Sequence, residues 1–218
     1  PALNEPDFMK QIYEKKEIHE LYMKPYPKFK NKMDKVIYVK DTCNPEADFQ
    51  LQNQQAVIST LINPQTPYNG LLVYHGLGSG KTCAAIAAAE TFKKQILKYQ
   101  TRIYIVVPGR EVKANWYNEM INVCVKSKYF DTQKKDLPYK KKFRKAMEEI
   151  KQSYNIITID KLRKLVLGDK VLSSEGKEVY QQQPNSLKNL DNTLLIVDEA
   201  HNLVSASKRA AVEKLVLN

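Results

Sequence analysis

Several features that many proteins carry are missing from this sequence. No apolar run approaches the roughly 20 residues that a helix needs to cross a bilayer, and the N-terminus lacks the basic and apolar pattern of a secretion signal. Cysteine occurs only as Cys43, Cys83 and Cys124, widely spaced and without a C-x-x-C pair. These absences predict no membrane segment, no disulfide framework and no zinc site. They favour an intracellular protein whose three cysteines are plain buried thiols.

Acidic residues are outnumbered by basic ones, 24 to 35, so the formal charge is +11. This excess permits a polyanionic partner such as nucleic acid, but a solvated surface accounts for it equally well. The cations are densest between residues 126 and 151, where four aromatic residues are interleaved: Tyr129, Phe130, Tyr139 and Phe143. Nucleic-acid contact through base stacking is compatible with this pattern. A solvated helix face is the favoured interpretation.

The most informative stretch is a glycine-rich turn near residue 80. An apolar run at residues 71–74 predicts a strand, and the alanine-rich residues 83–90 predict a helix. The turn between them reads Gly76-Leu77-Gly78-Ser79-Gly80-Lys81-Thr82. Glycines let backbone N–H groups close round an anion, and the positive end of the helix dipole lies at the same place. We therefore expect these residues to bind nucleotide phosphates, with Lys81 at the β/γ-phosphates and the Thr82 hydroxyl on Mg²⁺.

A later apolar run, residues 193–197, ends in two acids. Asp198 at the tip of such a strand can hold the hydration shell of Mg²⁺, and Glu199 can polarise an attacking water. In parallel α/β sheets such groups gather at the carboxyl ends of strands, beside the glycine-rich turn. The alternative, two exposed acids that cap the next helix, is disfavoured because the separation leaves room for the two intervening strand–helix units that the sequence contains.

The remaining pattern divides the chain into an N-terminal appendage, residues 1–48, and one α/β lobe, residues 49–218. Helical spacing in the appendage runs up to a break at Pro25-Tyr26-Pro27, and residues 36–39 are a candidate short strand. We expect the appendage to brace the lobe; contact with a partner is the alternative.

Within the lobe, strand and helix signals alternate, which predicts a mostly parallel central sheet flanked by helices. Further buried strands are predicted at 102–107 and 154–160, a hairpin at 171–180, and a helix from about residue 205. Trp116, on a helix that follows residue 109, is expected to be a core anchor. A glutamine amide in residues 50–55, upstream of the glycine-rich turn, can pair with an adenine edge.

Together these motifs resemble the first RecA-like lobe of superfamily-2 helicases and translocases, over roughly residues 49–204. The turn at residues 78–82 matches the family's motif I, and Asp198-Glu199-Ala200-His201 reads as the DEAH form of motif II. Three further elements are similar to the family's motifs Ia and Ib: Val107-Pro108, Asn115-Trp116 with Glu119, and Ile156-Ile157-Thr158-Ile159-Asp160.

This resemblance implies a RecA-like P-loop fold, with ATP and Mg²⁺ as cofactors. By likeness to the family, Lys81 and Thr82 would bind phosphate and Mg²⁺, and Asp198 would hold Mg²⁺. Gln55, with Gln54 as the fallback, would be the glutamine that reads the adenine. Glu199 would activate water, and His201 would link the nucleotide state to the motifs that face nucleic acid. The chain ends before the family's motif III and second lobe. We therefore expect a fragment that binds nucleotide weakly and hydrolyses little by itself.

His75, at the first position of motif I, departs from the usual glycine and is similar to the helicase-like ATPases of large cytoplasmic DNA viruses. One example is the small subunit of the poxvirus early transcription factor. This likeness implies a viral protein linked to transcription, active in the host cytoplasm or the virion. Its implied partners are nucleic acid, a second RecA-like lobe, and a viral RNA polymerase or transcription-factor subunit.

Two other functions stay open at this point. A P-loop kinase or nucleotide hydrolase that acts on small molecules would share the glycine-rich turn, although the DEAH element argues against it. A non-catalytic lobe that docks on nucleic acid would share the basic region. Against this second alternative, an inactive site has no chemical need for Lys81 or Glu199.

Overall fold

A parallel three-stranded sheet forms the centre of the lobe. The computed structural model describes residues 5–22, 28, 30–36, 50–74, 76, 78–129, 138–182, 184, 186–204 and 206–216. Its strands are β1 (Ile103–Val107), β2 (Tyr154–Thr158), β3 (Asp169–Leu172), β4 (Glu178–Gln181) and β5 (Leu195–Val197). β1 lies between β2 and β5 and is parallel to both, whereas β3 and β4 form a separate antiparallel hairpin. The sheet is parallel, as the sequence predicts.

Helices connect and cover these strands. They are α1 (Phe8–Glu14), α2 (Lys16–Tyr22), α3 (Asn53–Leu61), α4 (Lys81–Thr91), α5 (Lys93–Tyr99), α6 (Arg110–Glu119), α7 (Lys126–Tyr129), α8 (Tyr139–Ser153), α9 (Ile159–Leu167) and α10 (Ala206–Val216). A π-helical turn, Met120–Cys124, extends α6, and a 3₁₀ turn, Ala200–Val204, precedes α10. The alternation of parallel strands with helices confirms the RecA-like α/β prediction.

β1 is buried on both faces. Ile105 and Val107 pack into a cluster with Ile86 of α4 and Trp116 of α6. Val106, which points to the opposite face, packs with α9 and α10. Burial on both faces is typical of parallel sheets covered by helices, and it explains why these strands are continuous apolar runs in the sequence.

The appendage packs against the lobe through α3. Ile12 of α1 and Ile18 of α2 are buried in one cluster with Val57. The ring of Phe8 meets that of Tyr68 edge-on, with 5.9 Å between centroids. This packing is the contact that a bracing role requires. The boundary expected at residues 48 and 49 lies outside the described residues, as do the prolines at 25 and 27.

Two predicted strands differ in the structure. Of residues 36–39, Val36 lies in a helical segment at residues 32–36, and the other three lie outside the described residues. The strand expected at 154–160 ends two residues early, because the Thr158 hydroxyl accepts a hydrogen bond from the backbone N–H of Lys161 and caps α9. The hairpin is confirmed by β3 and β4, with Gly176 at φ +73° in its turn.

The strand predicted at residues 71–74 is absent. Leu72 and Tyr74 are 86% and 96% exposed, and this segment pairs with no strand in the described part of the chain. A strand needs backbone hydrogen bonds to a neighbouring strand, and in the described part of the chain β5 pairs with β1 alone, while residues 71–74 line the rim of the cleft instead. Apolar character indicated a strand here, but pairing decides whether one forms.

The prediction of plain thiols is wrong for two cysteines. Cys83 in α4 and Cys124 at the end of the π-helical turn form a disulfide, with 5.2 Å between their Cα atoms. They are 41 residues apart in the sequence, and only the packing of α4 beside the helical stretch that ends at Cys124 brings them together. Spacing along the chain does not reveal such a pairing. Cys43 lies outside the described residues.

The glycine loop, which we define as residues 76–80, is anchored by Gln55. This side chain is 2% exposed; its amide nitrogen donates to the carbonyl of Gly80 at 3.1 Å, and its amide oxygen accepts from the backbone N–H of Gln52 at 2.9 Å. Gly80 has φ +75° and immediately precedes α4. One buried amide therefore links the first turn of α3 to the start of α4.

The far end of α4 is fixed by a half-buried ionic cluster around Glu90. Lys128 and Tyr154 contact its carboxylate, and the Tyr129 hydroxyl donates to it at 2.7 Å. Burial alone would raise the pKa of Glu90, but the hydrogen bonds from Lys128, Tyr154 and Tyr129 and the charge of Lys93 lower it below 4.5. Because the folded-state pKa is lowered, this cluster stabilises the fold above the ordinary carboxyl pKa and loses its contribution as the pH falls through the folded value.

Glu90→Gln should therefore lower the free energy of unfolding at pH 7 by about 2–3 kcal/mol, because hydrogen bonds to a charged group are lost. Urea unfolding at pH 7 and at pH 3 measures this, and the difference from wild type should shrink at the lower pH. Glu148→Gln is the matched control, since Glu148 is exposed and pairs only across the surface of α8. Equal stability of the Glu90 variant and wild type at pH 7 would contradict the assignment.

Gly80→Ala should cost more stability than Gly176→Ala. Both glycines have a left-handed φ, +75° and +73°. A Cβ at Gly80 would lie 2.3 Å from the Gln55 amide nitrogen, whereas nothing lies within 4 Å at Gly176. Both variants lose stability through backbone strain. In Gly80→Ala the displaced Gln55 amide should cost about 1 kcal/mol more.

Urea unfolding of both alanine variants, in wild-type and Gln55→Ala backgrounds, measures this difference. We expect Gly80→Ala to be the costlier change in the wild-type background and the two to converge once Gln55 is truncated. Equal costs in both backgrounds would show that Gln55 does not anchor the loop.

Candidate functional site

An open cleft of about 450 Å³ lies between the start of α4 and the carboxyl end of β5. Lys81 and Thr82 line one side of it, and Asp198, Glu199 and His201 line the other. The apolar floor includes alanines of α4, and the exposed residues 71–74 complete the rim. Two motifs that are far apart in the sequence therefore border the same cavity.

The phosphate-binding candidates lie where the glycine loop enters α4. Gly78 and Gly80 both have left-handed backbones, at φ +74° and +75°. The Ser79 hydroxyl donates to the carbonyl of Gly76 at 2.8 Å, which closes the turn. Lys81 and Thr82, the first two residues of α4, are partly buried. Leu77, also predicted to take part, lies outside the described residues.

Asp198 is fixed at the end of β5 by two hydrogen bonds. Its backbone N–H donates to the carbonyl of Val106, which extends the pairing of β5 with β1 by one step. Its Oδ2 accepts from the indole Nε1–H of Trp116 at 2.8 Å. Trp116 is 2% exposed and belongs to the core, as predicted. Its polar contact with Asp198 was missed, because the two residues are 82 positions apart.

Glu199 has an unusual backbone for its residue type, with φ +50°. The backbone N–H and the side-chain amide of Asn202 donate to its carbonyl at 2.9 and 3.1 Å, which supports this conformation. Its Oε2 lies 3.2 Å from Nδ1 of His201. A left-handed residue of this kind costs of order 1–3 kcal/mol, and such residues are enriched at functional sites. The sharp turn after β5 brings both acids to the cleft.

Gln55, expected to pair with adenine, forms hydrogen bonds within the protein instead. Both ends of its amide are bonded inside the protein, to Gly80 and Gln52, and its side chain is buried. Gln54, the fallback, is partly exposed and donates to the Gln52 side chain. Adenine recognition by either residue stays a prediction.

A second cavity, of about 460 Å³, lies at the carboxyl ends of β1 and β2 and is strongly basic. Its lining includes four cations and one acid: Arg110 and Lys113 in the first turn of α6, Asp160 and Lys161 in the first turn of α9, and Lys164 further along α9. Burial, and then the nearby charges of Lys161 and Lys151, lower the pKa of Lys113. The sequence alone indicates a dense group of cations only in residues 126–151. It does not reveal this basic cavity, because the cations that line the cavity come from two separate helices.

The donor atoms at the cleft fit a hard cation. The Thr82 hydroxyl and the Asp198 carboxylate supply oxygen, the ligand type that Mg²⁺ prefers. Trp116 occupies Oδ2 of Asp198 and leaves Oδ1 for other contacts. Within the part of the chain that the structure describes, no helix is long and apolar enough to cross a membrane.

Comparison with known proteins agrees with this chemistry. Residues 47–217 match the family described as type III restriction enzyme, res subunit. Two proteins of Acanthamoeba polyphaga mimivirus, each named "Putative ATP-dependent RNA helicase", L377 and R563, are 35% and 33% identical over 99% and 76% of this chain. "Putative helicase 087L" of Invertebrate iridescent virus 3 is 31% identical over 73% of it. No solved structure matches.

The chain spans only 20%, 26% and 16% of the lengths of these three relatives. The family match, in contrast, covers most of the chain, including both sides of the cleft. The chain therefore belongs to the family of the type III restriction enzyme res subunit, as a superfamily-2 helicase N-terminal lobe of the kind found in large DNA viruses.

Proposed function

We propose that this chain is the ATP-binding lobe of a longer ATP-dependent helicase or translocase. One observation carries the proposal: a single cleft is bordered by Lys81 and Thr82 on one side and by Asp198 and Glu199 on the other. Nucleotide hydrolysis needs both a phosphate cradle and an acidic pair, and the cleft supplies the residue types for each.

Each side chain has a distinct task in this proposal. Backbone N–H groups of the glycine loop and the N-terminus of α4 hold the phosphates, and Lys81 adds a positive charge. Thr82 and Asp198 would hold Mg²⁺, which when bound neutralises negative charge on the phosphates. Glu199 accepts a proton from the attacking water. His201, 3.2 Å from Glu199, is then placed to link the orientation of Glu199 to events outside the cleft.

Nucleic acid is the proposed polymer partner, and the basic cavity supports it. Three of its four cations, Arg110, Lys113 and Lys161, lie in the first turns of α6 and α9, an arrangement that favours backbone phosphates over any particular base. Two relatives are named RNA helicases, which makes RNA the first polymer to test. Lys140 and Lys141 on α8 are exposed, in agreement with the solvated face that we favour for that region.

The parent protein should contain a second RecA-like lobe. In phosphoryl transfer generally, an arginine supplied from outside the phosphate-binding domain contributes about 10³–10⁵ in rate. We therefore expect slow turnover by residues 1–218 alone. A role in transcription, a polymerase or transcription-factor partner, and action in the host cytoplasm or the virion stay predictions.

Lys81→Ala and Glu199→Gln should each abolish polymer-stimulated ATP hydrolysis by the full-length parent. Glu199→Gln should lower the rate of hydrolysis by about 10²–10⁴-fold, because it removes the proton acceptor. Only Lys81→Ala should also weaken ATP binding. The measurement is phosphate release with and without single-stranded and duplex RNA or DNA. Lys94→Ala and Glu213→Gln, at exposed positions on α5 and α10, are the matched controls.

The outcomes separate the competing functions. Transfer of phosphate to a small metabolite without a polymer response would indicate a kinase. Polymer binding that is unaffected by ATP and by both variants would indicate a docking lobe.

A double Lys161→Ala, Lys164→Ala variant should lose stimulation by the polymer while keeping basal hydrolysis. This result would assign polymer binding to the basic cavity and ATP hydrolysis to the cleft.

A further inference from the structure

Trp116 is the single tryptophan of the sequence, and its two parts lie in different surroundings. The ring packs in the core cluster with β1 and α4 and is 2% exposed. The indole N–H reaches the edge of the cleft and donates to Oδ2 of Asp198 at 2.8 Å. A buried indole N–H needs an acceptor, and here the acceptor is a carboxylate at the cleft.

We propose that Trp116 is a positioning residue that fixes the Asp198 carboxylate for the cation. An indole N–H can donate but cannot accept, so it holds Oδ2 as an acceptor and prevents the carboxylate from rotating freely. Oδ1, which does not take part in this bond, is then left for the cation. This inference rests on the proposed function, because it assumes that Asp198 holds the hydration shell of Mg²⁺.

The surrounding structure makes this a rigid support. α6, which carries Trp116, follows β1 after a two-residue connection, and Asp198 follows β5, which pairs directly with β1. The helical stretch that contains Trp116 ends at Cys124, which is bonded to Cys83, the residue after Thr82. The proposed cation ligands are therefore tied together through Trp116 on one side and the disulfide on the other.

The two roles of Trp116 make different predictions. If it only fills the core, removing the N–H changes stability and leaves the cation dependence unchanged. If it orients Asp198, removing the N–H raises the Mg²⁺ concentration needed for nucleotide binding. Groups that orient metal ligands typically change metal affinity 10- to 100-fold.

Trp116→Phe tests the proposal in the full-length parent, with binding of a fluorescent ATP analogue titrated against Mg²⁺. We expect half-maximal binding to require about 10–100-fold more Mg²⁺, with Mg²⁺-free nucleotide binding unchanged. Tyr117→Phe is the matched control, because Tyr117 is the next residue on α6 and is also buried. Its Mg²⁺ requirement and its Mg²⁺-free nucleotide binding should both equal those of wild type. Replacing Trp116 with benzothienylalanine, which keeps the ring shape and lacks the N–H, covers the case in which the phenylalanine variant fails to fold.

Residues 1–218 provide a second readout, because their fluorescence reports on Trp116 alone. Mg²⁺ with nucleotide should change the emission of wild type and not that of Asp198→Asn. Unchanged Mg²⁺ dependence in both Trp116 variants, with a wild type that binds Mg²⁺ and nucleotide, would overturn this inference and leave the proposed function intact. A wild-type parent without Mg²⁺-dependent nucleotide binding would overturn both.

Discussion

The parallel pairing of β1 with β5 is the constraint on which the cleft depends. It carries Asp198 to the carboxyl edge of the sheet and places it opposite α4, whose first turn follows the glycine loop. It also brings α6 beside β5, so that Trp116 meets the Asp198 carboxylate. Because both faces of β1 are buried by helices, this edge is a rigid platform, and the open side of the cleft is left for a ligand.

Support for the glycine loop comes from two sides of the fold. Gln55 holds the carbonyl of Gly80 from α3, and the Glu90 cluster fixes the other end of α4 against β2 and α7. The disulfide from Cys83 adds a covalent link close to Thr82. The turn that we propose to close round the phosphates thus lies at the start of a helix that is held at both ends. Such support is the condition for a preorganised phosphate site.

The sequence indicated β1, β2, β5, the β3–β4 hairpin and the residues that border the cleft, because these signals are local. Buried parallel strands are continuous apolar runs, and the residues after Gly80 and after β5 have the chemistry of phosphate and cation binding. The strand at residues 71–74 failed because a strand needs a neighbour, which composition does not supply. The Trp116–Asp198 bond, the Cys83–Cys124 disulfide and the basic cavity join distant residues, so only the packed chain reveals them.

We propose that Thr82 and Asp198 converge on one cation at a bound triphosphate. Anomalous diffraction from crystals of this chain with Mn²⁺ and a non-hydrolysable ATP analogue can locate that cation. We expect one manganese peak at the β/γ-phosphates, contacted by the Thr82 hydroxyl and by Asp198 directly or through a single water. A peak away from both side chains, or an Asp198 carboxylate beyond the reach of one bridging water, would contradict it.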